Sequence, residues 1–247
     1  MNRFLIALAA SSLSLISNAQ APQYAWHKTF GGTIAEAAIG NDGYVYVIGT
    51  WTGLRDFDPG PGTLNLTSSA SGTKQAVFFG RFTQTGDLVW IKSLPSAAYA
   101  SYGVAITTDA DNNLLLLLQS NDNDFDSDAG DGVVQHLLGE SYVGGDYYAG
   151  IVARYDVDGN YLWSQPIIRE GYTGVYVEDV VTDGTYVYVT GSAAAYYWGG
   201  WVTYGDGPDC GCYLFTPSGF SAEDAGFAVA WALDNGDAIP TNTGIST

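Results

Sequence analysis

Basic side chains are scarce in this sequence. Eight Lys and Arg stand against 26 Asp and Glu, a net charge of −18. So acidic a chain repels nucleic acid and anionic membranes, which bind proteins mainly through cationic groups. Nucleic acid is therefore not expected as a partner, while metal cations and neutral ligands are. Acidity is also an ordinary solubility device. Histidine is nearly absent, with His27 and His136 as the two copies. A Ser-His-Asp arrangement would have to use one of them, and no Gly-x-Ser-x-Gly elbow is present. Glu occurs five times, at 36, 140, 170, 178 and 223. None sits in a motif for the paired carboxylates of glycoside hydrolysis. Phosphate loops and dinucleotide fingerprints are missing as well. A non-catalytic protein is expected.

Long apolar runs are also lacking. The longest opens the chain, "MNRFLIALAASSLSLISNAQ", with Arg3 before an apolar stretch from Phe4 to Ile16 and small residues at Ser17-Asn18-Ala19. This is the pattern of a secretory signal peptide, residues 1–19, cleaved after Ala19. Nothing later reaches the roughly 18 residues a membrane-spanning helix needs. A secreted or cell-surface protein without a membrane span is expected, with residues 20–247 as one domain. Cysteine is limited to Cys210 and Cys212 in "DCGCY". Export permits oxidation, but a Cys-x-Cys bridge closes a very tight ring, and no His stands nearby to complete a zinc site. A strained disulfide, a metal site and two idle thiols all stay open.

What the chain has in abundance is Gly, aromatics and an internal repeat. "FTQTGDLVWIKS" (Phe82 to Ser93) matches "YDVDGNYLWSQP" (Tyr155 to Pro166): aromatic, Gly-containing turn, apolar pair, Trp. "WALDNGDAIPTN" (Trp231 to Asn242) keeps the turn but has Pro240 in place of Trp. Phe82, Tyr155 and Trp231 are thus equivalent, as are Trp90, Trp163 and Pro240, and Trp26 is the tail of a preceding unit. A second repeated element is "NDGYVYVIGTW" (Asn41 to Trp51), matched by "TDGTYVYVTGS" (Thr182 to Ser192) and more weakly by "ADNNLLLLLQS" (Ala110 to Ser120). Three units follow, about 26–90, 90–163 and 163–240.

Each unit reads as four strands. In the first these are Ile34–Ile39, Tyr44–Thr50, Ala76–Phe82 and Leu88–Lys92, with hairpin signals at Asn41-Asp42-Gly43 and Thr85-Gly86-Asp87. Tyr44 to Ile48 and Leu114 to Leu118 are apolar on both faces. A half-wet antiparallel sheet would alternate, so both faces are expected to be covered. The five-Leu run also fits a turn of buried helix, but its length and Asn-Asn boundary favour a strand. Four-stranded repeats with both faces buried predict an all-β, β-propeller-like array of about three blades. Propellers close with about four to eight blades. Three therefore imply an incomplete array, self-association through open blade faces, or a three-fold closure like that of a β-trefoil.

The combination "GNDGYVYVIGTW", "DFDPGPGTLNLTSS" and "AVFFGRFTQTGDLVWIKS" resembles the secreted bacterial β-propeller repeats called SBBP repeats, in their Bacteroidetes-like form. The likeness is strongest over 26–93, moderate over 94–166, where "DFDSDAGDG" stands, and weakest over 167–247. It implies a propeller on an exported or surface-attached protein, usually without assigned chemistry. Relatives often carry a C-terminal sorting domain. This chain stops at "GIST", which fits truncation or a short divergent member.

Two candidate sites remain. "NDNDFDSDAGD" gathers Asp122, Asp124, Asp126, Asp128 and Asp131, and oxygen ligands at alternate positions suit calcium. An EF-hand would need Gly sixth and Glu twelfth. Counted from Asp122 these positions hold Ser127 and Val133, and from Asp124 Ala129 and Gln135, so it is not that loop. The other reading is a solvated acidic turn. The earlier copy, Asp56 and Asp58 before Pro-Gly-Pro-Gly, reads as a rigid turn with Asp capping amides. The second candidate is "YYWGGWVTY", where Tyr197, Trp198 and Trp201 could stack on sugars; packing between units is the alternative. The leading expectation is an exported scaffold for surface adhesion or protein interaction. A carbohydrate-binding module follows, and a hydrolase with acids at a blade mouth comes third. Protein or glycan ligands at the cell surface are the expected partners, and calcium is the expected metal.

Overall fold

The computed structural model describes residues 26–96, 100–139, 148–204, 214–215 and 224–237, with side chains at all of these except 170–172, 195–201, 214–215 and 224–225. The leader at 1–19, the cysteine pair and Pro240 lie outside the described residues.

Every described element is a strand. The first unit holds β1 (Thr33–Ile39), β2 (Val45–Thr52), β3 (Leu54–Asp56), β4 (Asn65–Thr67), β5 (Gln75–Phe82) and β6 (Leu88–Leu94). The second holds β7 (Ser101–Thr108), β8 (Leu114–Ser120), β9 (Asp124–Asp126), β10 (Gln135–Leu137) and β11 (Ala149–Tyr155). Then come β12 (Tyr161–Thr182), β13 (Tyr186–Tyr204), β14 (Leu214–Phe215) and β15 (Asp224–Ala232). The four strands expected in the first unit are β1, β2, β5 and β6, each within two residues of its expected ends, in antiparallel order β1-β2-β5-β6. The five-Leu run is β8, a strand with all five side chains buried. Between the two inner strands of the first unit stands the small hairpin β3-β4, and in the second unit β9-β10.

One joint differs from expectation. The first unit is a separate four-stranded sheet, but the second and third share a seven-stranded one. β12 pairs β11 from Tyr161 to Ile167 and β13 from Ile167 to Thr182. The cause is local. Pro95 follows β6 and has no N–H to continue a ladder. Pro166 lies within β12, but opposite β11, before pairing to β13 starts at Ile167. Among the described residues strand pairing leaves both sheets open, and no pairing closes a barrel.

Side-chain alternation builds three core layers. Tyr46, Ile48, Val77 and Phe79 of the first unit pack on Leu114, Leu116, Leu118, Ile151 and Tyr155 of the second. On the other face of the second unit, Leu115, Leu117 and Val152 pack on Val175, Val187, Val189, Phe227 and Trp231 of the third. A unit's front is the face toward the preceding position in the chain, and its rear the face toward the following one. The front of the first unit carries Val47, Phe78, Phe82, Trp51 and Phe57, covered by Phe30. Both faces of β8 are thus buried, and each Leu contributes about 1.5–3 kcal/mol of burial.

Candidate functional site

The repeat becomes physical at the turn between the third and fourth strands. Thr83 donates to the carbonyl of Asp87, Asp156 to Asn160 and Ala232 to Asp237, each at 2.8–2.9 Å. Gly86, Gly159 and Gly236 sit in these turns at φ of 78°, 77° and 75°. This left-handed region favours glycine. The glycines are required a second time, because an indole lies against each. A Cβ would stand 2.8 Å from the Trp26 ring, 3.0 Å from Trp90 and 2.8 Å from Trp163. The same tryptophans donate their ring N–H to the turn carbonyls of Gln84 (2.7 Å), Val157 (3.2 Å) and Leu233 (2.9 Å). Each acceptor lies two residues past the equivalent aromatics Phe82, Tyr155 and Trp231. The Trp of one unit is therefore seated on the turn of the next, three times over. Lys28 reaches Asp87 at 3.3 Å and Lys92 reaches Asn160 at 3.4 Å in equivalent places.

Charged groups cluster on the same end of the sheets, and one of them crosses a joint. Arg154 donates to the Leu233 carbonyl at 2.6 Å and pairs with buried Asp109 at 2.5 Å. Asp42 accepts from Arg81 (2.7 Å), the Tyr46 hydroxyl (2.9 Å) and the Tyr44 amide (3.1 Å). The Arg81 guanidinium lies 3.8 Å over the Tyr44 ring, a cation–π contact. Burial opposes ionisation of Asp42, but these donors outweigh it and hold its carboxyl below the usual Asp value. Asp156 behaves alike: burial raises it, and the amides of Asn160 and Asp158 bring it down.

The Asp-Phe-Asp segments lie at the opposite end, in the connector hairpins, and the two copies have one geometry. Asp56 Oδ1 accepts from the amides of Asp58 (3.0 Å) and Leu64 (2.8 Å). Asp126 Oδ1 accepts from Asp128 (3.0 Å) and Val134 (2.9 Å). Asp58 and Asp128 then cap Gly60 and Gly130, both at 2.7 Å. The Leu64 and Asp58 amides hold the Asp56 carboxyl below its ordinary value. The intervening Phe57 and Phe125 are buried and anchor each hairpin. Of the other acids in the cluster, Asp124 pairs in β9, Asp122 is buried and accepts from the Ser96 hydroxyl at 2.8 Å, and Asp131 is exposed. Among the described residues no three His, Cys, Asp or Glu gather where they could hold a metal ion.

Three features were not foreseen. Arg169 is fully buried and donates to the carbonyls of Ser120 and Asp122 at 3.2 Å each. Burial lowers its pKa, and the Asp122 charge works the other way. His136 of β10 lies 2.6 Å from the Ser164 hydroxyl of β12, which also meets the Tyr161 hydroxyl at 2.9 Å. His136 and Ser164 are buried, and the contact ties the connector to its sheet. The third is an open cleft of about 610 Å³ lined by Gly31, Thr50, Trp51, Arg55, Gln75 and Tyr102. Sequence offered no signal for any of these, since each is made by residues distant along the chain.

The side chains of Tyr197, Trp198 and Trp201 lie outside the described residues. Their backbone is in β13, where Trp201 pairs with Glu170 and with Phe215. The register jumps here: Gly171 faces Gly200 and Thr173 faces Ala195, so Tyr196 to Gly199 stand opposite Tyr172 alone. No family model matches the chain, and no curated protein matches it. Among the described residues no helix is long and apolar enough to cross a membrane.

Proposed function

We propose that this chain is a non-catalytic, exported repeat scaffold of β-propeller type, akin to the SBBP repeats, that serves surface adhesion or protein interaction. The observation that carries this reading is the thrice-repeated seat of a tryptophan on the glycine turn of the following unit. It gives the array a fixed stacking direction, as in blades around a common axis. The turn Asp residues and most Asp of the connector hairpins bind backbone amides in the same architecture, which leaves the connector hairpins as the variable display surface.

A second reading, carbohydrate binding through Tyr197, Trp198 and Trp201, is favoured by one observation. The register jump at Tyr196–Gly199 falls in the stretch of β13 that stands where the other units carry their connector hairpins. Bead retention separates the two. Beads coated with the chain are passed over matrix-protein surfaces and over a glycan array. Retention on protein that free sugar does not compete supports the scaffold. Retention on glycan that is lost in Trp198→Ala and Trp201→Ala supports the second reading. Release of sugar from the array overturns the non-catalytic reading.

A further inference from the structure

The segment before β1 occupies a place that belongs to another unit. Trp26 sits on the Gly86 turn as Trp90 sits on Gly159 and Trp163 on Gly236. Phe30 packs on Phe57, Phe78 and Phe82, with centroids 6.0, 5.8 and 5.3 Å away. Leu94, four residues past Trp90 as Phe30 is past Trp26, joins the layer of Phe125, Ile151 and Tyr155 in the second unit. Those three are the counterparts of Phe57, Phe78 and Phe82. Residues 26–30 therefore lie where the outer strand of a preceding unit would lie, yet they belong to no described strand. The inner part of that same front is bare. Ile34 and Ile39 of β1 are 46% and 75% exposed, beside Gly49 and Val45 in the register.

The third unit presents the matching half. Among the described residues β15 pairs with β13 alone. The sequence has Pro240 where the other units have Trp, so this unit brings no indole of its own. Its rear exposes Val181 (50%) and Tyr186 (36%). By register, Thr190 and Ala228 on this rear replace Ile48–Phe79 and Leu117–Val152 of the other two units. On the front of the first unit, Phe78 and Trp51 replace Ile151 and Ser120. The smaller face thus answers the bulkier one, which conserves volume across the contact.

We propose that two copies of this chain join head to tail. The rear of the third unit of each packs on the front of the first unit of the other, with residues 26–30 at the edge of that contact. This rests on the propeller reading of the preceding section. Heterologous contacts form a ring when the rotation closes. One copy supplies three units, two supply six and three supply nine; only six falls within the about four to eight of known propellers. A front-to-front pairing would place two indole-bearing segments against each other with no glycine turn between them.

The test is solution mass at physiological salt, by sedimentation or light scattering, on the chain without residues 1–19. Ile39→Glu blocks the front and Tyr186→Glu the rear. Both side chains are exposed in the single chain, and circular dichroism checks that each variant keeps its fold. Wild type is expected at twice the mass of one chain, and each variant alone at the mass of one. An equimolar mixture of the two is expected to regain the doubled mass, because one front–rear contact in it is unaltered. A single-chain wild type, a mass above two copies, or a variant that still pairs alone overturns the ring. The scaffold reading fails separately, through sugar release in the bead experiment, and survives a single-chain mass.

Discussion

Trp90 donates its indole N–H to the Val157 carbonyl across 67 residues of sequence, at 3.2 Å, and its ring covers Gly159. One residue type thus satisfies a turn carbonyl, fills the space above a glycine and locks two sheets in order. The joint recurs from Trp26 to Gln84 and from Trp163 to Leu233, so its parts can be tested against one another.

Glycine at the seat is the first test. Gly159 and Gly184 share a left-handed backbone, φ 77° and 89°, but nothing lies within 4 Å of a Cβ at Gly184. Gly184→Ala is expected to cost about 1–2 kcal/mol, the conformational part alone. Gly159→Ala is expected to cost more, because its methyl meets the Trp90 ring and the Lys92 stem. Urea unfolding midpoints of the two variants make the comparison.

The indole has two roles that separate by substitution. Trp163 is buried and donates to Leu233. Trp163→Ala is expected to cost about 3–5 kcal/mol. Trp163→Phe keeps most packing, loses the N–H and is expected to cost less, since a hydrogen bond is worth about 1 kcal/mol net. Calorimetric melting of both variants gives the order.

Acid should weaken the fold. The carboxyls of Asp42, Asp56, Asp87, Asp156 and Asp183 are all held below the ordinary Asp value in the folded chain. A depressed folded pKa adds stability that is fully present above the unfolded value of about 3.9 and is lost as pH falls through the folded one. Stability is therefore expected to fall steadily below about pH 4. Asp156→Asn should flatten that fall. Denaturant midpoints between pH 2 and 6 measure it, and a midpoint that rises toward acid would contradict the assignment.

Calcium tests the connector hairpins. With Asp126 already accepting two amides, the melting temperature is expected to be equal in calcium and in chelator, and Asp126→Asn should destabilise equally in both. A calcium-dependent rise that Asp126→Asn abolishes would assign these acids a metal-binding role.

Much of the fold was legible because the chain repeats its chemistry. The aromatic, Gly turn and Trp of Phe82–Trp90 and Tyr155–Trp163 mark where strands turn, and Leu114–Leu118 announces a sheet covered on both faces. The strand β12 was not legible, since continuity from Tyr161 to Thr182 depends on which neighbour each half pairs with. The joints were half legible. Sequence marks the turn glycines and the tryptophans, but not that a Trp belongs to the turn 58–70 residues onward. Asp126 shows why the acids are ambiguous. Alternating Asp looks the same in sequence whether it faces a cation or its own backbone amides. Arg169 and the His136–Ser164 contact left no trace, because their partners come from other elements.

A double-mutant cycle between Trp90 and Gly159 tests the joint most directly. In the Trp90→Ala background, Gly159→Ala is expected to cost less than it does in the wild type, leaving the backbone cost and the contact with the flexible Lys92 stem. That is a coupling within the 0.5–3 kcal/mol seen for residues in contact. If the two substitutions simply add, the indole does not rest on that turn, and the stacking of the units has another cause.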